Sequence, residues 1–173
     1  EVPIGGTQFT LSPRLGEVVQ QEEVDTVMQG FQHWATHDGD EGTYNHIGTY
    51  GSPRLSRLFF QRRPVPDTWF FLDAYDYFLP DISTFRFSNT KSPITNLSYH
   101  RAGSSSQGND RFRAYFASNI NKQAGIGFLI DYLYARGQYT FQQNSMFTGA
   151  LYGYYHGDRY QMNAWINSSN LKM

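Results

Sequence analysis

Asp110-Arg111-Phe112-Arg113-Ala114-Tyr115-Phe116-Ala117-Ser118-Asn119 sorts itself into two faces when it is laid out as a strand. Phe112, Ala114 and Phe116 fall on one side, and Arg111, Arg113 and Tyr115 on the other, because successive side chains of a strand point to opposite faces. A half-exposed antiparallel sheet in water produces this alternation, and so does a strand that crosses a membrane in a barrel. The two differ in which face is wet. An arginine turned to lipid near the bilayer midplane costs about 2–4 kcal/mol, so in a membrane strand the Arg111 and Arg113 face must be the lumen.

The same period of two recurs along the second half of the chain. Strands are expected at Ile82–Asn89, Ile94–Arg101, Asp110–Asn119, Ile126–Arg136, Met146–Tyr155 and Arg159–Ser168. An imperfect one is expected from Arg54 to Gln61. In Ile126–Arg136 the row Ile126, Phe128, Ile130, Tyr132, Tyr134 suits lipid and ends in tyrosines, where an interfacial girdle would stand. The opposite row holds Asp131 with Gly127 and Ala135. In the last strand Tyr160, Met162, Ala164 and Ile166 are expected outward, and Gln161, Asn163 and Asn167 inward. Tight connections are expected near 90–93, 120–125 and 156–158, and longer polar ones near 102–109 and 137–145. Short turns at one end and long loops at the other are the habit of a transmembrane barrel.

Composition agrees with that reading and excludes several others. The chain has 173 residues, a formal net charge of -1, 17% aromatic residues and 17% charged ones, where soluble domains carry about 25% charge. A near-neutral balance lacks the basic footprint of a nucleic-acid partner. The absence of cysteine removes disulfides, thiol catalysis and thiolate metal sites together. No run approaches the roughly 20 apolar residues of a membrane helix, and mean hydropathy is -0.56; strands that alternate average out as polar, so a barrel remains open.

Residues 1–50 look different and are expected to form an irregular or partly helical arm, either periplasmic or plug-like, ahead of barrel strands over 51–173. Val24, Val27, Met28, Phe31 and Trp34 recur at helical spacing and predict one short helix from about Glu22 to Trp34.

Phe87-Ser88-Asn89-Thr90-Lys91-Ser92-Pro93-Ile94-Thr95-Asn96-Leu97-Ser98-Tyr99-His100 resembles the Asn-Thr-Lys-Ser-Pro-x-Thr-Asn-Leu segment of the "putative porin" outer-membrane family of Bacteroidetes. Gly48-Thr49-Tyr50-Gly51-Ser52-Pro53, Ser118-Asn119-Ile120-Asn121-Lys122, the stretch from Asp131 to Tyr139 and Asp158-Arg159-Tyr160-Gln161 are similar to further blocks of that family, in the family's order. The resemblance covers most of the chain after residue 48. It implies an all-β, antiparallel, meandering outer-membrane β-barrel of a Gram-negative cell, passing small hydrophilic solutes by diffusion. It also implies no catalytic residue and no cofactor. The implied partners are outer-membrane lipid and other outer-membrane proteins. Family members are several times longer, and about seven strands is an odd number where bacterial single-chain barrels use even ones. The expectation is therefore the N-terminal part of a larger barrel. Two other readings stand beside it: a non-conducting barrel subunit or scaffold of a larger outer-membrane complex, and a soluble β-sandwich binding module.

Few residues carry chemistry. Arg57, Arg86, Arg111, Arg113 and Asp131 are candidates to line a pore, with Asp73 and Asp76 as acids on an aromatic loop folded towards a basic wall. Such an arrangement would make the pore ion-selective. His33 and His37 stand four apart and could share a helix face around a metal. However, Trp34 occupies the place where the zinc-protease pattern needs Glu, and a solvated acidic loop is the better account. Nothing in the spacing of Asp73, Asp76 and Asp131 marks them as a glycosidase pair. The chain is read as a non-enzyme.

Overall fold

The computed structural model describes residues 6–23, 43–62, 73–83, 85–104, 108–137, 139 and 141–172. It is all-β. Five long strands, β6 (Ile94–Ala102), β7 (Asn109–Asn119), β8 (Ala124–Ala135), β9 (Asn144–His156) and β10 (Gln161–Lys172), form one antiparallel meander in the order β10-β9-β8-β7-β6. The alternating stretches become these strands with ends within about two residues of expectation, except that β10 runs on to Lys172. Each hydrogen-bonds the next in sequence without a register break. The outer two, β6 and β10, are not paired with each other, so the described sheet is open.

The connections alternate as the composition predicts. β7 turns into β8 through 120–123, where the Asn121 side chain accepts hydrogen bonds from the amides of Gln123 and Ala124 at 2.8 and 2.7 Å. An asparagine that satisfies the amides two and three residues on makes a tight turn. β9 turns into β10 through 157–160, closed by the Gly157 amide donating to the Tyr160 carbonyl at 2.9 Å. The two longer connections, 103–108 and 136–143, lie at the opposite end of the sheet.

Three short strands form a second sheet, β2-β1-β5, built from β1 (Thr7–Leu11), β2 (Val18–Glu23) and β5 (Phe87–Asn89). β1 pairs with β5 through Thr7 with Asn89, Gln8 with Ser88 and Phe9 with Phe87. A two-stranded ladder, β3 (Tyr44–His46) with β4 (Arg54–Ser56), completes the described strands. Between β3 and β4 the turn at Gly51 has φ +83, and a Cβ there would stand 2.7 Å from the Leu133 side chain. Only glycine fits that conformation and that approach without strain.

The structure corrects the sequence reading in four places. The strand expected over Arg54–Gln61 stops at Ser56, whose hydroxyl accepts from the Leu58 amide at 3.2 Å, and a 3-10 turn, Phe59–Gln61, follows. A serine that bonds the backbone locally offers an alternative to the ladder. Of Ile82–Asn89 only Phe87–Asn89 is strand, because the Asp81 carbonyl accepts from the Phe85 amide at 2.8 Å and holds a turn. The tight connection at 90–93 is not a hairpin, since β5 belongs to the small sheet and the chain crosses there into β6. Glu22 and Glu23, the start of the expected helix, lie in β2 opposite Gln8 and Thr7; the rest of that helix falls outside the described residues. The meander thus has five strands where about seven were counted.

Candidate functional site

Register fixes what each face of the meander presents. One face carries Leu97, Ala114, Ile130 and Gly149 in one cross-strand row, and Thr95, Phe116, Phe128, Leu151 and Ile166 in the next. Phe116 and Phe128 stack across β7 and β8 with ring centroids 5.5 Å apart. The large side chains here are exposed: Leu97 by 66%, Leu151 by 57% and Ile166 by 70%. At the long-connection end the apolar rows finish in Tyr99 and Tyr132, and at the tight-turn end in Tyr155 beside Tyr160. Past the first of these limits charge returns, where Arg101 lies 3.6 Å from Asp110 and Tyr99 donates to Asp110 at 3.0 Å. Between the two limits no outward position of the five strands is charged.

The opposite face is polar and aromatic. Ser98, Arg113, Asp131, Thr148 and Ser169 form one row across all five strands. Arg111 meets Asp131 through two bonds, Nε to Oδ1 at 3.0 Å and Nη2 to Oδ2 at 2.6 Å. This fork-to-fork geometry is the strong form of the pair, and the Arg111 side chain is only 8% exposed. Arg113 reaches the same carboxylate at 3.9 Å and keeps half of its side chain in the open. Towards the tight turns, Gly125 and Gly127 stand opposite Tyr154 and Tyr152. A Cβ on Gly127 would meet the Phe116 carbonyl at 2.5 Å and the Tyr152 ring at 2.6 Å, so the missing side chains are what let the two rings lie across β8.

The chain before β6 covers much of this face. Phe9, Leu11, Phe85 and Phe87 are buried against Ala117, Leu129, Ala150, Tyr152 and Tyr154. Nearer the long connections Tyr50, Tyr75 and Phe78 pack on Leu133, Ala135 and Met146; burial pushes the Tyr75 phenol pKa upward. Hydrogen bonds fasten the cover. Tyr152 and Tyr115 join their hydroxyls at 2.8 Å, and Tyr115 meets the Ser88 hydroxyl at 2.6 Å. Asn119 donates to the Asn89 side chain at 2.7 Å and accepts from Tyr154 at 2.8 Å. Thr148 donates to the Phe78 carbonyl at 3.2 Å, and Asn144 to the Thr49 hydroxyl at 3.0 Å.

Of the residues singled out from sequence, the structure brings together Arg111, Arg113 and Asp131. Arg57 lies elsewhere, exposed beside β4 and donating to Asn45 at 2.6 Å. Arg86 precedes β5 and stands 3.9 Å from Glu22. Asp73 and Asp76 belong to a 3-10 segment, Asp73–Phe78, whose Tyr75 and Phe78 do fold onto the sheet; the two acid side chains lie outside the description. His33 and His37 fall outside the described residues. Among the described residues no group of three or more His, Asp or Glu could hold a metal, and no helix is long and apolar enough to cross a membrane. The sequence reading missed the tyrosine hydroxyls at 115, 152 and 154. Their signal was their parity: each falls on the same face as the arginines, where a lipid-facing role was not open to them.

A family model described as "Putative porin" matches residues 7–173. No curated protein and no solved structure matches the chain. Since the match spans nearly the whole sequence, including the cover as well as the meander, the chain belongs to the "Putative porin" family.

Proposed function

We propose that β6–β10 are consecutive strands of a transmembrane β-barrel in a Gram-negative outer membrane, and that the protein passes small hydrophilic solutes by diffusion. It is read as a non-enzyme. One observation carries the proposal: the uncovered face is the apolar one, and it is free of charge between two tyrosine limits. A soluble sandwich would leave its polar face to water and bury the other. Dimensions fit as well. At about 3.3 Å per residue, the 12 residues of β8 reach about 40 Å, and a tilt of about 45° brings that to the roughly 30 Å of the hydrocarbon core. Lipid does not tolerate open sheet edges, so β6 and β10 must be paired by further strands in the membrane. The long connections then face outside and the tight turns the periplasm.

A second reading has an observation of its own. The cover on the inner face would narrow or seal the lumen, which favours a non-conducting barrel serving as subunit or scaffold of a larger outer-membrane assembly. Planar-bilayer recordings on the full-length protein separate the two: discrete conductance steps support diffusion, and their absence despite correct insertion supports the scaffold. A full-length product that stays monomeric in buffer without detergent would sink both and leave the soluble binding module.

A further inference from the structure

We propose that Arg113 is the charge filter of the solute path and gives it a preference for small anions; this rests on the pore reading above. The inner-facing positions of β6–β10 hold three permanently charged residues, Arg111, Arg113 and Asp131. Two positive charges and one negative leave a net charge of +1. Arg111 spends its charge on Asp131 in the bidentate pair and lies buried. Arg113 is the member left facing water, with 50% of its side chain exposed and only a 3.9 Å contact to the shared carboxylate.

Its place on the sheet matters as much as its charge. The cover lies over β8 and β9, the tight-turn end of β7 and the neighbouring part of β10. On β6 and in the middle of β7, by contrast, Asn96 and Arg113 are exposed on the inner face, with Ser98 and His100 half-buried beside them. Ser98 is the cross-strand partner of Arg113, and Asn96 that of Tyr115. The uncovered part of the inner face is therefore a polar strip along β6, and Arg113 stands at its edge in the middle of β7. Arg86 borders the same strip, since its carbonyl accepts from the Tyr115 hydroxyl at 3.2 Å, but Glu22 at 3.9 Å offsets its charge. A solute moving between cover and wall passes Arg113 well within the Debye length of about 10 Å at 0.1 M salt, and fixed charge at such a passage sets the sign of the ions that prefer it.

The test is the reversal potential of the full-length protein in planar bilayers under a KCl gradient near 0.1 M. The wild type is expected to favour chloride over potassium. Arg113→Gln should reduce the chloride-to-potassium permeability ratio about twofold or more, and Arg113→Glu should bring it below one. Arg113→Lys should keep the preference. Arg101→Gln, which removes a cation at the margin of the outer face, should leave it unchanged. The wild-type preference should also fade as KCl rises towards 1 M, where the Debye length is about 3 Å; this measurement needs no variant. A conducting Arg113→Glu channel with an unchanged ratio, or a preference that does not fade with salt, overturns the filter and leaves the pore reading standing. A correctly inserted wild type that passes no ions overturns both.

Discussion

The two faces of the five-stranded sheet are made from the same strands, and they bury opposite things. The outer face exposes Leu97, Phe128, Leu151 and Ile166. The inner face buries Arg111, Thr148 and Tyr152. In water this is the wrong way round, because uncovered apolar area costs about 25 cal/mol per Å² and a buried guanidinium needs its counter-charge. In lipid each choice becomes the cheaper one. On the membrane reading proposed above, the sheet is specified by what surrounds it as much as by its own pairing, and the contrast between faces can be tested residue by residue.

The largest effect should come from the inner face. Asp131→Asn leaves the Arg111 guanidinium buried without its carboxylate, and should lower stability by about 3–5 kcal/mol, read as the shift in urea unfolding of the full-length protein in vesicles. Replacing the pair together, by Arg111→Met with Asp131→Leu, should recover most of that loss. Recovery would show that the pair matters for neutrality rather than attraction. On the outer face, Phe128→Arg should cost about 2–4 kcal/mol in the same assay. No loss there would break the contrast outright, since an exposed face of a soluble sheet accepts arginine freely.

Two smaller effects concern how the inner face receives its cover. Gly127→Ala drives a methyl into the Phe116 carbonyl and the Tyr152 ring, and should destabilise by about 1–3 kcal/mol, the range for overpacking. Tyr152→Phe removes the hydroxyl that meets Tyr115 and accepts from the Ser88 amide. Its expected cost is about 1 kcal/mol, with faster proteolysis of the segment around β1 as the second readout. If Tyr152→Phe left both unchanged, the Tyr152 hydroxyl would add nothing to the hold of the rings and of the other hydrogen bonds.

Legibility followed range of contact. The alternation in Asp110–Asn119 and Ile126–Arg136 led directly to β7 and β8 and to the side on which Arg111, Arg113 and Asp131 stand, because a long strand with two unlike neighbours repeats its pattern many times. The small sheet did not announce itself. β5 has three residues and β1 five, too few to show a period, and their partners stand far apart in sequence. Family resemblance had marked the right places for another reason. Gly48–Pro53 and Phe87–Thr90 prove to be where the cover touches the sheet, through Gly51 against Leu133 and Ser88 against Tyr152. The 3.0 and 2.6 Å bonds between Arg111 and Asp131 could not be read either, since parity places both residues on one face without saying that they are register neighbours displaced by two.

The pairing of β1 with β5 also sets an order of assembly. Gln8 and Ser88 are 80 positions apart, whereas β9 reaches β10 across the four residues 157–160. Closing the longer loop costs about 3 kcal/mol more entropy on the (3/2)RT ln n scale, and long-range pairing of this kind forms slowly. The hairpins of the meander therefore zip first, and β1, which precedes them in the chain, is fastened last. On the barrel reading proposed above, it must find the inner wall while that wall can still be reached from the side, before further strands close around it.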